Sequence, residues 1–151
     1  MPATSSDPAL AEIQKRVKAA AGNATVPVKG RDATLGQKGE SGITGDLSVK
    51  PGRPSNNGTL DGGEDVYHAL TLTLWGPSWA EVHAAAVAGR DAVHERRDEI
   101  AAAADDPDLV SIRCTRDVCP HAEPLQDARA ASRHGARVEF ELARRLRPAT
   151  A

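Results

Sequence analysis

Large apolar side chains are scarce in this chain. Aromatic residues make up 3% of the 151 residues, although 40% of the chain is hydrophobic by composition. Alanine and the aliphatic side chains must therefore fill the interior. Because a chain of this length can bury one core, we predict a single domain over 1–151. We expect its core to be lean, so that assembly would help to stabilise it.

Other absences limit the functions that this protein can have. No apolar run approaches the roughly 20 residues that span a bilayer. The first ten residues also lack the basic and apolar regions of a signal peptide. Two cysteines do not make a disulfide framework, and a net charge of -2 gives no overall electrostatic case for nucleic-acid binding. We expect a soluble protein that is made inside a cell and has no membrane partner.

The most ordered pattern lies between residues 64 and 100. The run from Val66 to Trp75 has the period of two that predicts a half-buried strand. One of its faces carries Val66, His68, Leu70, Leu72 and Leu74. Gly76-Pro77 ends this strand, and Ser78 followed by Glu81 is a capping-box pattern that predicts a helix start. Apolar or small residues then recur at helical spacing and predict one long helix against a sheet: Trp79, Val82, Ala86, Gly89, Val93 and Ile100.

Four further elements are predicted around this unit. A helix begins at Asp7-Pro8 and ends at Gly22, and a short extended segment follows at 25–29. Alternation predicts two later strands, at 109–116 and at 138–142, with a charged connection over 117–135 and one helical turn near 125–131. In the first of these strands Val110, Ile112 and Cys114 share the apolar face.

Residues 30–63 form a glycine-rich segment that contains no aromatic residue. We predict an inserted loop or hairpin arm there, in which Ile43, Leu47 and Val49 make a short strand. A basic tail is predicted over 144–151. The order of elements favours an α+β fold, with an antiparallel or mixed sheet of about four strands packed against two helices and a long Gly-rich loop or hairpin arm.

Candidate chemistry is sparse. Cys114, Cys119, His121 and His134 are weak candidates for a zinc site, because a structural zinc takes four such ligands but favours closer cysteine spacing. No serine lies in a nucleophile elbow, and the Gly-rich segment lacks a P-loop signature. We therefore expect no catalytic residue, no bound cofactor and no enzyme.

Two segments resemble a known family. The run YHALTLTLWGPSWAEVHAAAVAGRDAV, with His68, Leu70, Leu72 and Trp75, and the closing RHGARVEFEL are similar to tail terminator (tail completion) proteins of long-tailed bacteriophages. In that family a strand of the form H-x-L-x-L-x-W leads directly into a helix, and two strands close the chain. The segment after Val28 and the long insert to Gly63 depart from the family pattern.

The resemblance implies a structural virion protein of the tail or neck, assembled in the host cytoplasm. Family members form hexameric rings that cap the tail tube, stop its polymerisation and bind the head connector or stopper protein, while phage DNA passes through the lumen without sequence-specific binding. On this hypothesis the oligomer or tube interface would include Lys38, Ile43, Leu47, Lys50, Arg53, Trp75 and Trp79. Three alternatives remain: another neck, connector or minor tail protein, a small zinc-binding domain, and an adaptor whose loop folds on a partner.

Overall fold

The described part of the chain folds into one four-stranded sheet covered on one face by helices. The computed structural model describes residues 8–22, 26, 28, 42–50, 64–121 and 134–146. Within these residues the elements follow in this order: α1 (Pro8–Ala20), β1 (Thr44–Lys50), β2 (Glu64–Gly76), α2 (Trp79–Val93), α3 (Arg97–Ala104), β3 (Leu109–His121) and β4 (His134–Leu146). No helix among the described residues is long and apolar enough to cross a membrane.

All neighbouring strands of the sheet are antiparallel, in the order β1-β2-β4-β3. The prediction of an α+β fold with about four strands and a helical layer is therefore confirmed. The short strand predicted within the Gly-rich segment is also present, as β1 at one edge of the sheet. Val28 adds a single parallel bridge to Leu47 of that strand.

The core lies between the helices and the inner face of the sheet. Leu70, Leu72 and Leu74 of β2 are at most 1% exposed, as their alternation predicts. Gly89 of α2 lies so close to β2 that a Cβ there would sit 3.3 Å from a methyl group of Leu72. This confirms that small residues let the helix lie close to the sheet. Helix α1 completes the layer by burying Leu10, Ile13 and Val17.

The predicted long helix is in fact two helices. Helix α2 ends at Val93, and α3 begins only at Arg97. Glu95 between them has a left-handed backbone with φ of 58°, and its N–H donates to the carbonyl of Ile112 on β3 at 3.1 Å. A hydrogen bond to the sheet therefore replaces the helical one at this point, which the periodicity of the sequence does not reveal.

Strand β3 departs from its predicted alternation. A register shift lies between Leu109 and Ser111, so that Leu109 is fully buried while Val110 is 41% exposed. The expectation that Val110 shares the apolar face with Ile112 is therefore wrong, because a bulge inserts one extra residue and turns the strand. Two more register shifts follow before Cys119.

The hairpin of β3 and β4 is longer than predicted. Residues 117–121 continue β3, and His134 already begins β4. Arg144 and Arg145, predicted in a basic tail, belong to β4 and pair with β2. Backbone pairing with a neighbouring strand thus extends the sheet through residues whose side chains are polar. The predicted helical turn near 125–131 and the tail beyond residue 146 lie outside the described residues.

Candidate functional site

The four weak zinc candidates lie on the β3–β4 hairpin. Cys114 faces Phe140 in the register and Cys119 faces Arg137, while His121 faces Gly135. The partners of the two cysteines on β4 lie three strand positions apart, or about 10 Å of extended chain, whereas zinc ligands lie about 2.3 Å from one metal ion. Among the described residues no three His, Cys, Asp or Glu side chains come together as metal ligands.

Both thiols have local hydrogen-bond partners instead. The Cys114 Sγ–H donates to the carbonyl of Arg116 at 3.3 Å, and the Cys119 Sγ–H donates to the carbonyl of Arg137 at 3.7 Å. Burial raises the pKa of the Cys114 thiol, and the carboxylate of Asp117 raises it further. A thiol with a raised pKa is a poor nucleophile at neutral pH, so this position is unsuited to covalent catalysis.

A charged cluster lies where the C-terminal end of α2 meets β3. Arg90 forms ion pairs with Asp91, at 3.1 Å, and with Asp117. The hydrogen bond from Arg90 holds the pKa of the Asp117 carboxyl below its ordinary value. Nearby, the Nδ1 of His94 accepts the backbone N–H of Cys114 at 2.8 Å, which occupies that nitrogen and ties α2 to β3. The cluster is thus a connection between helix and strand that leaves carboxylates at the surface.

The two tryptophans have different environments. Trp75 is 9% exposed and contacts His121 edge to face, with ring centroids 5.9 Å apart. Its indole also lies close to Gly135, where an added Cβ would be 3.2 Å from Nε1. Trp79 is 38% exposed and packs on His83 at 5.3 Å. The sequence alone does not distinguish the two, and the structure assigns Trp75 to the interior and Trp79 to the surface.

The other predicted interface residues are likewise partly buried and partly exposed. Ile43 and Leu47 are at most 3% exposed and pack in the core of their own chain, so their side chains are not at the surface. Lys50 is exposed at the end of β1. Lys38 and Arg53 lie outside the described residues. Of the proposed set, Lys50 and Trp79 are therefore the described side chains that can reach a partner, and the interface itself stays a prediction.

The outer face of the sheet is a second surface that sequence reasoning did not select. Tyr67 on β2 is 38% exposed, and Ala69 beside it is exposed as well. Ion pairs cross the same face between β3 and β4, joining Arg113 to Glu141 at 3.1 Å. The alternation of β2 predicts that Tyr67 points away from the core, which is the signal that could have identified this surface.

The likeness of this chain to known proteins is one of structure. No family model matches the chain, and no curated protein matches it either. A solved structure titled "Virion of native gene transfer agent (GTA) particle" contains a chain that is 15% identical, with a TM-score of 0.49, over 85% of this chain and 84% of that chain.

Proposed function

We propose that this protein is a structural protein of a phage-like virion, and specifically a tail terminator. In this role it assembles as a ring on the end of the tail tube, stops tube polymerisation and joins the tail to the head connector. The proposed role is non-enzymatic, and DNA would pass through the ring. The observation that carries the proposal is the pairing of the two segments that resemble the family.

These segments lie about sixty positions apart in the chain, yet they occupy neighbouring strands at the centre of the sheet. Trp75 ends the strand that approximates the family form H-x-L-x-L-x-W, with one additional residue before the tryptophan. It lies opposite Gly135, and Gly76 lies opposite His134. An added Cβ at Gly135 would come within 3.2 Å of the Trp75 indole and 3.0 Å of the His121 Cβ. The His-Gly pair and the tryptophan therefore form one packing unit, which supports reading them as one motif.

The exposed surfaces also suit a ring protein. A protein that joins others needs faces that can be covered, and such faces are often apolar at their centre and charged at their rim. Trp79 on the helical layer and Tyr67 on the outer sheet face are both 38% exposed. Both are large aromatic side chains, a type enriched at interfaces.

Light scattering over a concentration series, with a metal assay on the same sample, tests the ring. We expect a metal-free hexamer, or growth toward one as concentration rises. A strict monomer that carries one zinc per chain would contradict the proposal. The functional site would then be the zinc candidates Cys114, Cys119, His121 and His134.

A second experiment tests termination itself. Tail-tube protein of the same phage is allowed to polymerise with and without this protein, and tube lengths are measured by electron microscopy. We expect short tubes with extra density at one end when the protein is present, because a bound ring blocks further addition. Tubes of unchanged length with bare ends would rule out the terminator role, even if the ring forms.

A further inference from the structure

Helix α2 is apolar on two sides. Its buried stripe, which includes Val82 and Ala86, faces the sheet. A second stripe runs along an adjoining side at spacing i, i+1, i+4, i+5 and i+8, and we name it the helix patch: Trp79, Ala80, His83, Ala84 and Val87. The first four are exposed and Val87 is half-buried. A surface helix ordinarily presents one apolar stripe to its own core, so the second stripe needs another explanation.

The outer face of the sheet carries a second apolar spot with a cation beside it. We name Tyr67, Ala69 and Lys50 the sheet patch. Lys50 lies opposite Ala69 in the register, so both side chains emerge on the same face, two positions from Tyr67. Lys50 is exposed, and it makes no ion pair with any of the described residues.

The two patches belong to opposite layers of the fold. The helices cover the inner face of the sheet, whereas Tyr67 and Ala69 lie on the outer face. Along β2, Tyr67 is nine residues from Gly76, where the chain turns into α2, a distance of about 30 Å in an extended strand. A two-fold contact joins the same surface on both subunits, but patches on opposite faces can meet only head to tail, which builds rings or filaments.

The charges beside the patches are complementary. Asp91 and Asp117 share Arg90 as their ion-pair partner, which leaves one negative charge in excess. Asp91 follows Val87 by one helical turn, and Asp117 interacts electrostatically with His83. The helix patch is therefore rimmed by excess negative charge, and the sheet patch by a lysine that forms no ion pair within the described part of the chain. Such complementarity fixes register and disfavours wrong contacts.

We propose that the helix patch of one subunit packs on the sheet patch of the next, with Lys50 against the carboxylates beside Arg90. This proposal rests on the proposed ring and identifies the two surfaces that join its subunits. It makes every subunit bind through two different faces.

Mixing two variants tests this directly by mass in solution. Trp79→Glu disables the helix patch and leaves the sheet patch intact, and Tyr67→Glu does the reverse. Each variant alone should be monomeric under conditions where the wild type is a ring. A one-to-one mixture should form dimers and nothing larger, because only one productive contact is available. Ala102→Glu, on the exposed side of α3, is the matched control and should assemble like the wild type.

Each outcome separates the contact from the ring. If the wild type assembles and either variant assembles equally well, the contact is wrong and the ring survives. If the single variants are monomers but their mixture also stays monomeric, the head-to-tail pairing is wrong. A wild type that remains monomeric up to millimolar concentration overturns the ring and the contact together. Circular dichroism verifies folding, and Ala84→Glu replaces Trp79→Glu if that variant does not fold.

A charge exchange gives an independent readout. Lys50→Glu should weaken association by about tenfold, since it sets like charges against each other. Adding Asp91→Lys to the same chain should restore most of the loss. Failure of the second change to restore assembly would place Lys50 and Asp91 in different contacts and would overturn the proposed register.

Discussion

Asp106 and Arg144 form an ion pair at one end of the sheet, with 2.7 Å between the carboxylate Oδ2 and the guanidinium Nη1. Their side chains are only 7% and 19% exposed. The two atoms are close enough for strong coulombic attraction, although Asp106 Oδ2 accepts no hydrogen bond among the described residues. The backbone also joins these elements, because the Arg145 N–H donates to the carbonyl of Asp108 at 2.8 Å. The turn between α3 and β3 is thus attached to β4 by charge and by backbone.

Removing the carboxylate should therefore destabilise the fold. We expect Asp106→Asn to lower the free energy of unfolding by about 3 kcal/mol, because it leaves a largely buried guanidinium without its counter-charge. Asp105→Asn is the matched control: Asp105 is exposed and left-handed with φ of 52°, a conformation that asparagine tolerates. Urea denaturation measures both variants, and equal midpoints would show that the ion pair contributes nothing.

The break between α2 and α3 gives a stabilising prediction. Glu95 holds a left-handed backbone that glycine adopts without steric cost. Glu95→Gly should raise the free energy of unfolding by about 0.5–1 kcal/mol, since its contact with His94 is long, at 3.7 Å, and exposed. Ala102→Gly, inside α3, should instead cost about 1 kcal/mol. If thermal unfolding shows both variants to be destabilised, Glu95 is not strained.

Cysteine reactivity should report the environment of Cys114. Burial raises the pKa of this thiol, and Asp117 adds to the effect. At pH 8 we expect Cys114 to react with iodoacetamide more slowly in the folded protein than in urea, because the thiolate is the reactive form. Asp117→Asn should speed the folded reaction. Peptide mass spectrometry follows the labelling, and a rate unaffected by folding would contradict this account.

Acid should weaken the Arg90–Asp117 connection. The hydrogen bond from Arg90 lowers the pKa of the Asp117 carboxyl from its ordinary value of 3.8. A lowered carboxyl pKa contributes stability that is present above about 3.8 and is lost as the pH falls through the lower, folded-state value. The wild type should therefore melt at a higher temperature than Asp117→Asn at pH 6. The difference should shrink below pH 3. If the difference in melting temperature did not change with pH, its cause would be packing and not the ion pair.

Local patterns in the sequence were sufficient for much of the fold. The alternation in β2 predicted its buried leucines, and Ser78 caps α2 as expected, accepting the N–H of Glu81 at 3.3 Å. The Ser78 hydroxyl donates to the Glu81 carboxylate, so the reciprocal half of the capping box uses the hydroxyl and not the backbone. These features were predictable because their partners lie a few residues away.

The features that escaped prediction depend on distant residues. Glu95 leaves the helix because its N–H meets Ile112, seventeen positions away. The exposure of Val110 follows from a bulge whose partner strand is β4. The candidate interface residues of β1 are a different case, because strand alternation by itself places Leu47 and Lys50 on opposite faces of the sheet.

The bulges of β3 have a consequence for how this sheet can grow. Strand β3 forms one edge of the sheet among the described residues, with β1 at the other. An edge strand offers free backbone groups to any other extended chain. Three register shifts interrupt this edge, and Arg113, Arg116 and Pro120 occupy it. Bulges, charged side chains and proline are devices that prevent strand addition. Addition of a strand from another molecule at β3 is therefore disfavoured. Assembly through the faces of the fold is favoured over open-ended aggregation through this edge.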